Sequence, residues 1–176
     1  VRTLVLGGIR SGKSQWAEAA LAEEATDAQP VCYLATGPSP ADDHEWAARV
    51  AAHRSRRRNR WSTVETTDVT EQLRAHHVAT LVDDIGSWLT AAMDRAGAWT
   101  GGSVAADVDD LLEAVGGFPA PLAIVSPEVG LTVVPATTAG RRFADELGSL
   151  NQRLAAACDR VVLVIAGQPL AVKDPV

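Results

Sequence analysis

Thr3-Leu4-Val5-Leu6 runs directly into Gly7-Gly8-Ile9-Arg10-Ser11-Gly12-Lys13-Ser14. The second stretch has the spacing G-x-x-x-x-G-K-[ST], here Gly7, Gly12, Lys13 and Ser14. The apolar run before it reads as a buried parallel strand. The alanines and Leu21 that follow recur at helical spacing up to Thr26-Asp27. Strand, glycine loop and helix in that order are the setting in which this spacing cradles phosphate. Glycines let successive backbone N–H groups turn into one hollow. The helix N-terminus adds partial positive charge there. Lys13 reaches the β- and γ-phosphates of a nucleotide, and the Ser14 hydroxyl ligates Mg²⁺. The loop predicts a phosphate-transferring enzyme that uses ATP or GTP.

Further along, short apolar runs alternate with helical stretches. Strands are expected at Val31–Thr36, 62–65, Ala79–Asp83, Leu122–Ser126 and Val161–Ile165. Helices are expected from about Asp42 into the arginines, from Ser87 to Ala96, from Val104 to Val115 and from Thr138 to Ala157. Asp68 with Glu71 three residues on has the form of a capping box for a brief helix. Gly97 to Gly102 reads as a loop. This alternation predicts an α/β fold of the P-loop NTPase (RecA-like) kind, with a mostly parallel sheet and helices on both faces. No linker or repeat interrupts it, so residues 1–176 are expected to form a single domain.

The bulk properties narrow the partners. The chain has 176 residues, 47% hydrophobic and 22% charged, with a formal net charge of −6. That charge disfavours a nucleic-acid partner. It argues against a strand-exchange ATPase, whose sheet the strand pattern would otherwise suit. The two cysteines, Cys32 and Cys158, lie in apolar stretches without metal-site spacing, and read as buried thiols of a reduced protein. No apolar run is long enough to span a bilayer, and no cleavable signal pattern is visible. A cytoplasmic location is expected.

A metal-binding acid is expected at the end of another strand. Asp83 holds that position, and Asp84 beside it competes. Strand-end logic favours Asp83. The alternative for either acid is to cap the helix near Ser87. Glu128 also follows a strand, where ligands of such sheets bind or where a solvated loop acid sits. His53 is followed by Arg54, Arg56, Arg57, Arg58 and Arg60, five arginines in seven residues. Arginines bind phosphates bidentately. A neutral imidazole among them can attack phosphorus. A solvated basic helix end accounts for the same composition. On the residues alone, a single-function kinase or a non-catalytic nucleotide-binding module stays open.

Taken together, these segments resemble the bifunctional adenosylcobinamide kinase/adenosylcobinamide-phosphate guanylyltransferase family, in order along nearly the whole chain. The resemblance rests on Gly7 to Ser14, on Tyr33-Leu34-Ala35-Thr36, and on Asp43-x-Glu45-Trp46-x-x-Arg49-Val50-x-x-His53-Arg54-x-x-Arg57. Trp61 and Glu65 follow at the family's spacing, then Glu128-Val129-Gly130, Val134-Pro135 and Arg141-Arg142-Phe143-x-Asp145. Gly148, Asn151-Gln152, Leu154-Ala155, Gly167-x-Pro169-Leu170 and Lys173 complete it.

The resemblance implies two reactions. The first phosphorylates adenosylcobinamide with a nucleoside triphosphate. The second attaches GMP from GTP to the resulting adenosylcobinamide phosphate. It implies a covalent guanylyl group on His53, and a guanine-nucleotide site formed by Arg54, Ser55, Arg56, Arg57, Glu65, Asp83, Ala35, Thr36 and Gly37. It also implies a homo-oligomer, expected to be a trimer, while the phosphate-loop pattern and strand-end logic lead to the expectation of Mg²⁺ held by Ser14 and Asp83. The chain departs from the family pattern at Pro127, usually Asn, at Arg58, usually Pro, and at Asp84, usually Cys.

Overall fold

The computed structural model describes residues 1–25, 29–37 and 60–175. The elements in chain order are β1 (Arg2–Gly7), α1 (Lys13–Glu24), β2 (Val31–Ala35), β3 (Trp61–Glu65), α2 (Val69–Ala75) and β4 (Ala79–Asp83). Then come α3 (Ile85–Ala96), α4 (Ala105–Gly117), β5 (Leu122–Pro127), α5 (Thr138–Ala157), β6 (Arg160–Ile165) and β7 (Gln168–Lys173). The helix expected from about Asp42 lies outside the described residues.

The strands form one sheet in the order β3-β2-β4-β5-β1-β6-β7. All neighbours are parallel except β6 and β7. The chain leaves central β1 for one side of the sheet, builds outward and back, then crosses to the other side through α5. The carboxyl ends of β1 to β6 therefore share one edge. A reversal of strand order beside β1 opens the crevice where open α/β sheets bind ligands.

Side-chain alternation sorts the sheet into two cores. Leu34, Val82, Ile124, Leu4 and Val161 are register partners across five strands and face α2, α3, α4 and α5. The next row, Ala35, Asp83, Val125, Val5 and Val162, points to the opposite face. That face is covered by Ala17 and Leu21 of α1. Such strands are apolar throughout because they are buried on both sides.

Capping follows local chemistry. Asp84 accepts the Ser87 N–H at 2.8 Å and starts α3, and Gly97 ends it with φ 60°. Thr137 accepts the Gly140 N–H at 3.0 Å and starts α5. The expected capping box at Asp68 does not form. Asp68 holds the N-cap position, but its side chain makes no capping bond, and its own N–H donates to the Thr66 hydroxyl at 2.9 Å. A turn made by Thr66 has taken the place of the reciprocal box.

The sequence pattern stops at β6, yet the chain adds β7. Ala166 and Gly167, with φ 49° and 77°, form the two-residue turn between them. Positive φ at both positions matches the twist of a tight hairpin. All of β7 is exposed and contains Pro169, which an edge strand tolerates. No apolar periodicity marks it. Lys173 at its end donates to the carbonyls of Ala155 at 3.0 Å, Ala156 at 3.4 Å and Cys158, satisfying the last turn of α5. Among the described residues, no helix is long and apolar enough to cross a membrane.

Both thiols are buried and free. Burial pushes the Cys158 thiol up to about 11, against smaller opposing effects of Arg2 and Lys173. Burial also raises Cys32, while a hydrogen bond with Ser62 opposes it. A thiol reagent at pH 8 is therefore expected to label neither cysteine in the native protein and both after denaturation. Spectrophotometric thiol counting checks this.

Candidate functional site at the carboxyl edge of the sheet

Gly7 ends β1 and is buried, and Gly12 precedes α1 with φ 92° and ψ 6°. A Cβ at Gly7 would lie 2.4 Å from Ser11 Oγ and 2.8 Å from the Val164 carbonyl oxygen. The first glycine of the motif is thus required by close packing of the loop against β6. The Ser11 N–H donates to the Gly8 carbonyl at 3.3 Å and tightens the turn. Ile9 and Arg10 stand exposed at its tip, Arg10 with φ 55°.

No side chain caps α1. Its first N–H groups have no intrahelical acceptor. Together with the helix dipole they make an anion site. The Lys13 ammonium donates to the Gly8 carbonyl at 3.2 Å, folded back across the loop. Ser14 lies next to it in the first turn.

The acid corner faces this loop. In the register, Glu65, Ala35, Asp83, Val125 and Val5 share a row, and Val125 and Val5 pack on the α1 face. Asp83 Oδ2 accepts the Tyr33 hydroxyl at 2.6 Å. Thr36, which is buried, ties β2 to the same corner: its N–H donates to the Asp83 carbonyl at 3.2 Å, and its hydroxyl donates to the Asp84 carbonyl. The peptide between Asp83 and Asp84 is cis. Asp84 spends its carboxylate on the α3 cap. Burial holds its pKa above the usual carboxylate range; the Ser87 N–H opposes this, Asp83 adds to it and Lys13 opposes it. The two adjacent acids thus have different partners: Asp84 a helix end, Asp83 a tyrosine on the loop's side of the sheet.

Glu128 follows β5, and its N–H donates to the Gly7 carbonyl at 3.1 Å. Its carboxylate folds back on the Gly130 N–H, with oxygens at 2.7 and 3.1 Å. A buried polar pair fixes this strand end. Ser126 Oγ and Asn151 Oδ1 are 2.6 Å apart, with the hydroxyl donating. Asn151 Nδ2 donates to the Pro127 carbonyl at 3.0 Å. Pro127 lacks an N–H, but its carbonyl is held by α5.

The structure thus gathers Gly7, Gly8, Ile9, Arg10, Ser11, Gly12, Lys13 and Ser14 with Ala35, Thr36, Gly37, Glu65 and Asp83 at one edge of the sheet. His53, Arg54, Ser55, Arg56 and Arg57 lie outside the described residues. No site role was expected of Tyr33, Ser126 or Asn151 from the sequence. Tyr33-x-Ala35-Thr36 and Asn151-Gln152 stood out as family-like, but their spacing alone did not show which strand end each would reach.

Among the described residues, no three His, Cys, Asp or Glu side chains gather as a metal cage. Ser14 and Asp83 fit Mg²⁺ in another way. Both offer hard oxygen donors, and Mg²⁺ takes one or two protein oxygens while completing its shell with water and substrate phosphates.

A glycine loop leading from a central parallel strand into an uncapped helix, with strand-end acids opposite, defines a P-loop nucleotide-binding enzyme. Comparison with known proteins is more specific. A family model for cobinamide kinase / cobinamide phosphate guanyltransferase matches residues 3–172. The bifunctional adenosylcobalamin biosynthesis protein CobP of Pseudomonas aeruginosa is 39% identical, over 98% of both chains. The corresponding protein CobU of Salmonella typhimurium is 37% identical, over 97% of this chain and 98% of its own. Among solved structures, a KaiC-like protein of Pyrococcus horikoshii superposes with a TM-score of 0.49 at 12% identity, over 92% of this chain and 69% of its own. The chain belongs to the cobinamide kinase / cobinamide phosphate guanyltransferase family and is a bifunctional kinase and guanylyltransferase enzyme.

Two substitutions test the geometry. Gly7→Ala is expected to weaken nucleoside triphosphate binding at least roughly tenfold, because the Val164 backbone cannot move aside for the methyl group; isothermal titration measures it. Asn151→Ala leaves the buried Ser126 hydroxyl only the longer contact with the Pro127 carbonyl at 3.4 Å and removes the amide donor to that carbonyl, and is expected to cost about 1–3 kcal/mol in urea denaturation.

Proposed function

We propose that the loop from Gly7 to Ser14 binds the triphosphate of ATP or GTP, and that His53 carries GMP between two half-reactions. The observation that carries this reading is the uncapped start of α1 opposite Asp83, on one face of the sheet at its carboxyl edge.

In the kinase step, backbone N–H groups and Lys13 hold the β- and γ-phosphates of the donor, and the aminopropanol hydroxyl of adenosylcobinamide attacks the γ-phosphorus. A new O–P bond forms, the hydroxyl proton passes to solvent, the bond to the β-phosphate oxygen breaks, and the nucleoside diphosphate leaves. Lys13 neutralises charge that develops on the transferring oxygens. Mg²⁺, when bound through Ser14 and Asp83, supplies charge neutralisation between the phosphates.

In the transfer step the His53 imidazole attacks the α-phosphorus of GTP. An N–P bond forms and pyrophosphate departs. A phosphate oxygen of adenosylcobinamide phosphate then attacks the same phosphorus, the P–N bond breaks and neutral imidazole is restored. Splitting one displacement into two is the gain from a covalent nucleophile. Arg54, Ser55, Arg56 and Arg57 beside His53 supply hydrogen bonds for the phosphates. Ala35, Thr36, Gly37 and Glu65 border the guanine nucleotide at the ends of β2 and β3.

A homotrimer accompanies this reading. Leu131, Val133 and Val134 after β5, and Leu170 and Val172 on β7, are large, apolar and exposed in the single chain. Contacts between subunits would cover them.

Intact-mass measurement after incubation with Mg²⁺ and GTP, with denaturation at alkaline pH, tests the central claim. The expected result is a gain of one GMP in the wild type and none in His53→Ala. Absence of an adduct under conditions where GTP binds would leave a single-function kinase and reduce His53 to a phosphate contact.

A further inference from the structure

The motif Gly167-x-Pro169-Leu170 takes no part in the chemistry above, yet its glycine touches the phosphate loop. The Gly167 N–H donates to the Ser11 carbonyl at 2.7 Å. A Cβ at Gly12 would lie 3.2 Å from Gly167 Cα and 3.7 Å from its nitrogen. The loop and the β6–β7 turn are thus packed backbone against backbone at the residue before the motif lysine.

This contact fixes a peptide plane. In a trans peptide the C=O and N–H point in opposite directions. With the Ser11 carbonyl drawn to the hairpin, the Gly12 N–H points away from it. Free rotation of this unit would let the N–H swing out of register with its neighbours, since glycine imposes little restraint. The hairpin is itself anchored: β7 pairs antiparallel with β6, and Lys173 binds the carbonyls that end α5.

We infer that Gly167 is a positioning residue for the phosphate loop: its N–H sets the Ser11–Gly12 peptide so that the Gly12 N–H is presented to the nucleotide phosphates. The inference rests on the reading of residues 7–14 as the phosphate site. Gly167 must hold φ 77°, but nothing lies within 4 Å of a Cβ built on it. The position therefore demands a left-handed backbone and a free N–H, not empty space. Asparagine meets both demands. Proline meets neither.

The experiment compares wild type, Gly167→Asn, Gly167→Pro and Lys13→Ala. It measures the affinity of inorganic tripolyphosphate by titration, and the KM for GTP and for adenosylcobinamide in the kinase assay. Gly167→Pro is expected to weaken tripolyphosphate binding and raise the GTP KM by roughly tenfold or more, with the corrinoid KM within about twofold of wild type. Gly167→Asn is expected to stay within about threefold on all three measures. A merely structural role would lower the active fraction without separating the two KM values. If the proline chain does not fold, an ester in place of the Ala166–Gly167 amide removes the same N–H and keeps the turn. It can be installed by peptide ligation at Cys158 and is held to the proline chain's expectations. Binding within twofold of wild type in the proline or ester protein overturns the inference, as does a loss in Gly167→Asn equal to that in the proline protein. Unchanged tripolyphosphate binding in Lys13→Ala overturns the phosphate-site reading itself, and so identifies which of the two has failed.

Discussion

The backbone of the phosphate loop has almost no room around it. Gly7 is packed against Ser11 Oγ and the Val164 carbonyl, and Gly12 against Gly167. A backbone held on two sides needs little further ordering to present its main-chain N–H groups to an anion. Much of the surrounding architecture serves this confinement. Central β1 delivers Gly7, α1 provides an N-terminus with no competing side-chain cap, and β6 with its hairpin forms the wall behind.

The acid corner shows how the sheet separates two chemically identical neighbours. Asp83 closes a strand whose alternation directs it to the α1 face, where Tyr33 donates to it. Asp84 has turned into the first turn of α3, and burial disfavours its charge. One carboxylate is committed to a helix end. The other is oriented by a phenol. Thr36 links both residues to β2, so the corner is tied to its neighbour strand through main chain and hydroxyl alike.

α5 acts from a distance. Asn151 holds Ser126 and the Pro127 carbonyl, and the next N–H, of Glu128, reaches the Gly7 carbonyl. At the far end of the same helix, Lys173 of β7 satisfies its last carbonyls. A single helix therefore braces β5 beside the loop and the hairpin behind it. The substitution of Pro at position 127 is compatible with this frame, because the bond that α5 makes there uses a carbonyl, which proline retains.

The phosphate loop, the strands β1 to β6 and the long helix α5 were legible from the residues, since each depends on local spacing: a glycine pattern, an apolar run or a helical repeat. The expected bounds of α5, Thr138 to Ala157, are those observed. The candidate site was legible as a set of residue types, but not as an arrangement. Local pattern favoured Asp83 as the site acid but did not give the partners of Asp83 and Asp84, which strand register and the start of the next helix set together. It missed β7, whose side chains are exposed and whose pairing depends on a turn with positive φ at Ala166 and Gly167. It mistook Asp68 and Glu71 for a capping box where Thr66 supplied the competing bond. The sequence by itself determined the loop chemistry and the parallel sheet, because both are written in short-range periodicity. Only the tertiary structure decided how each of the two acids is partnered, how Asn151 reaches the end of β5 and that Gly167 touches Ser11. The contacts of Asn151 and Gly167 join residues 24 to 156 positions apart in the chain, and no local propensity encodes such a meeting.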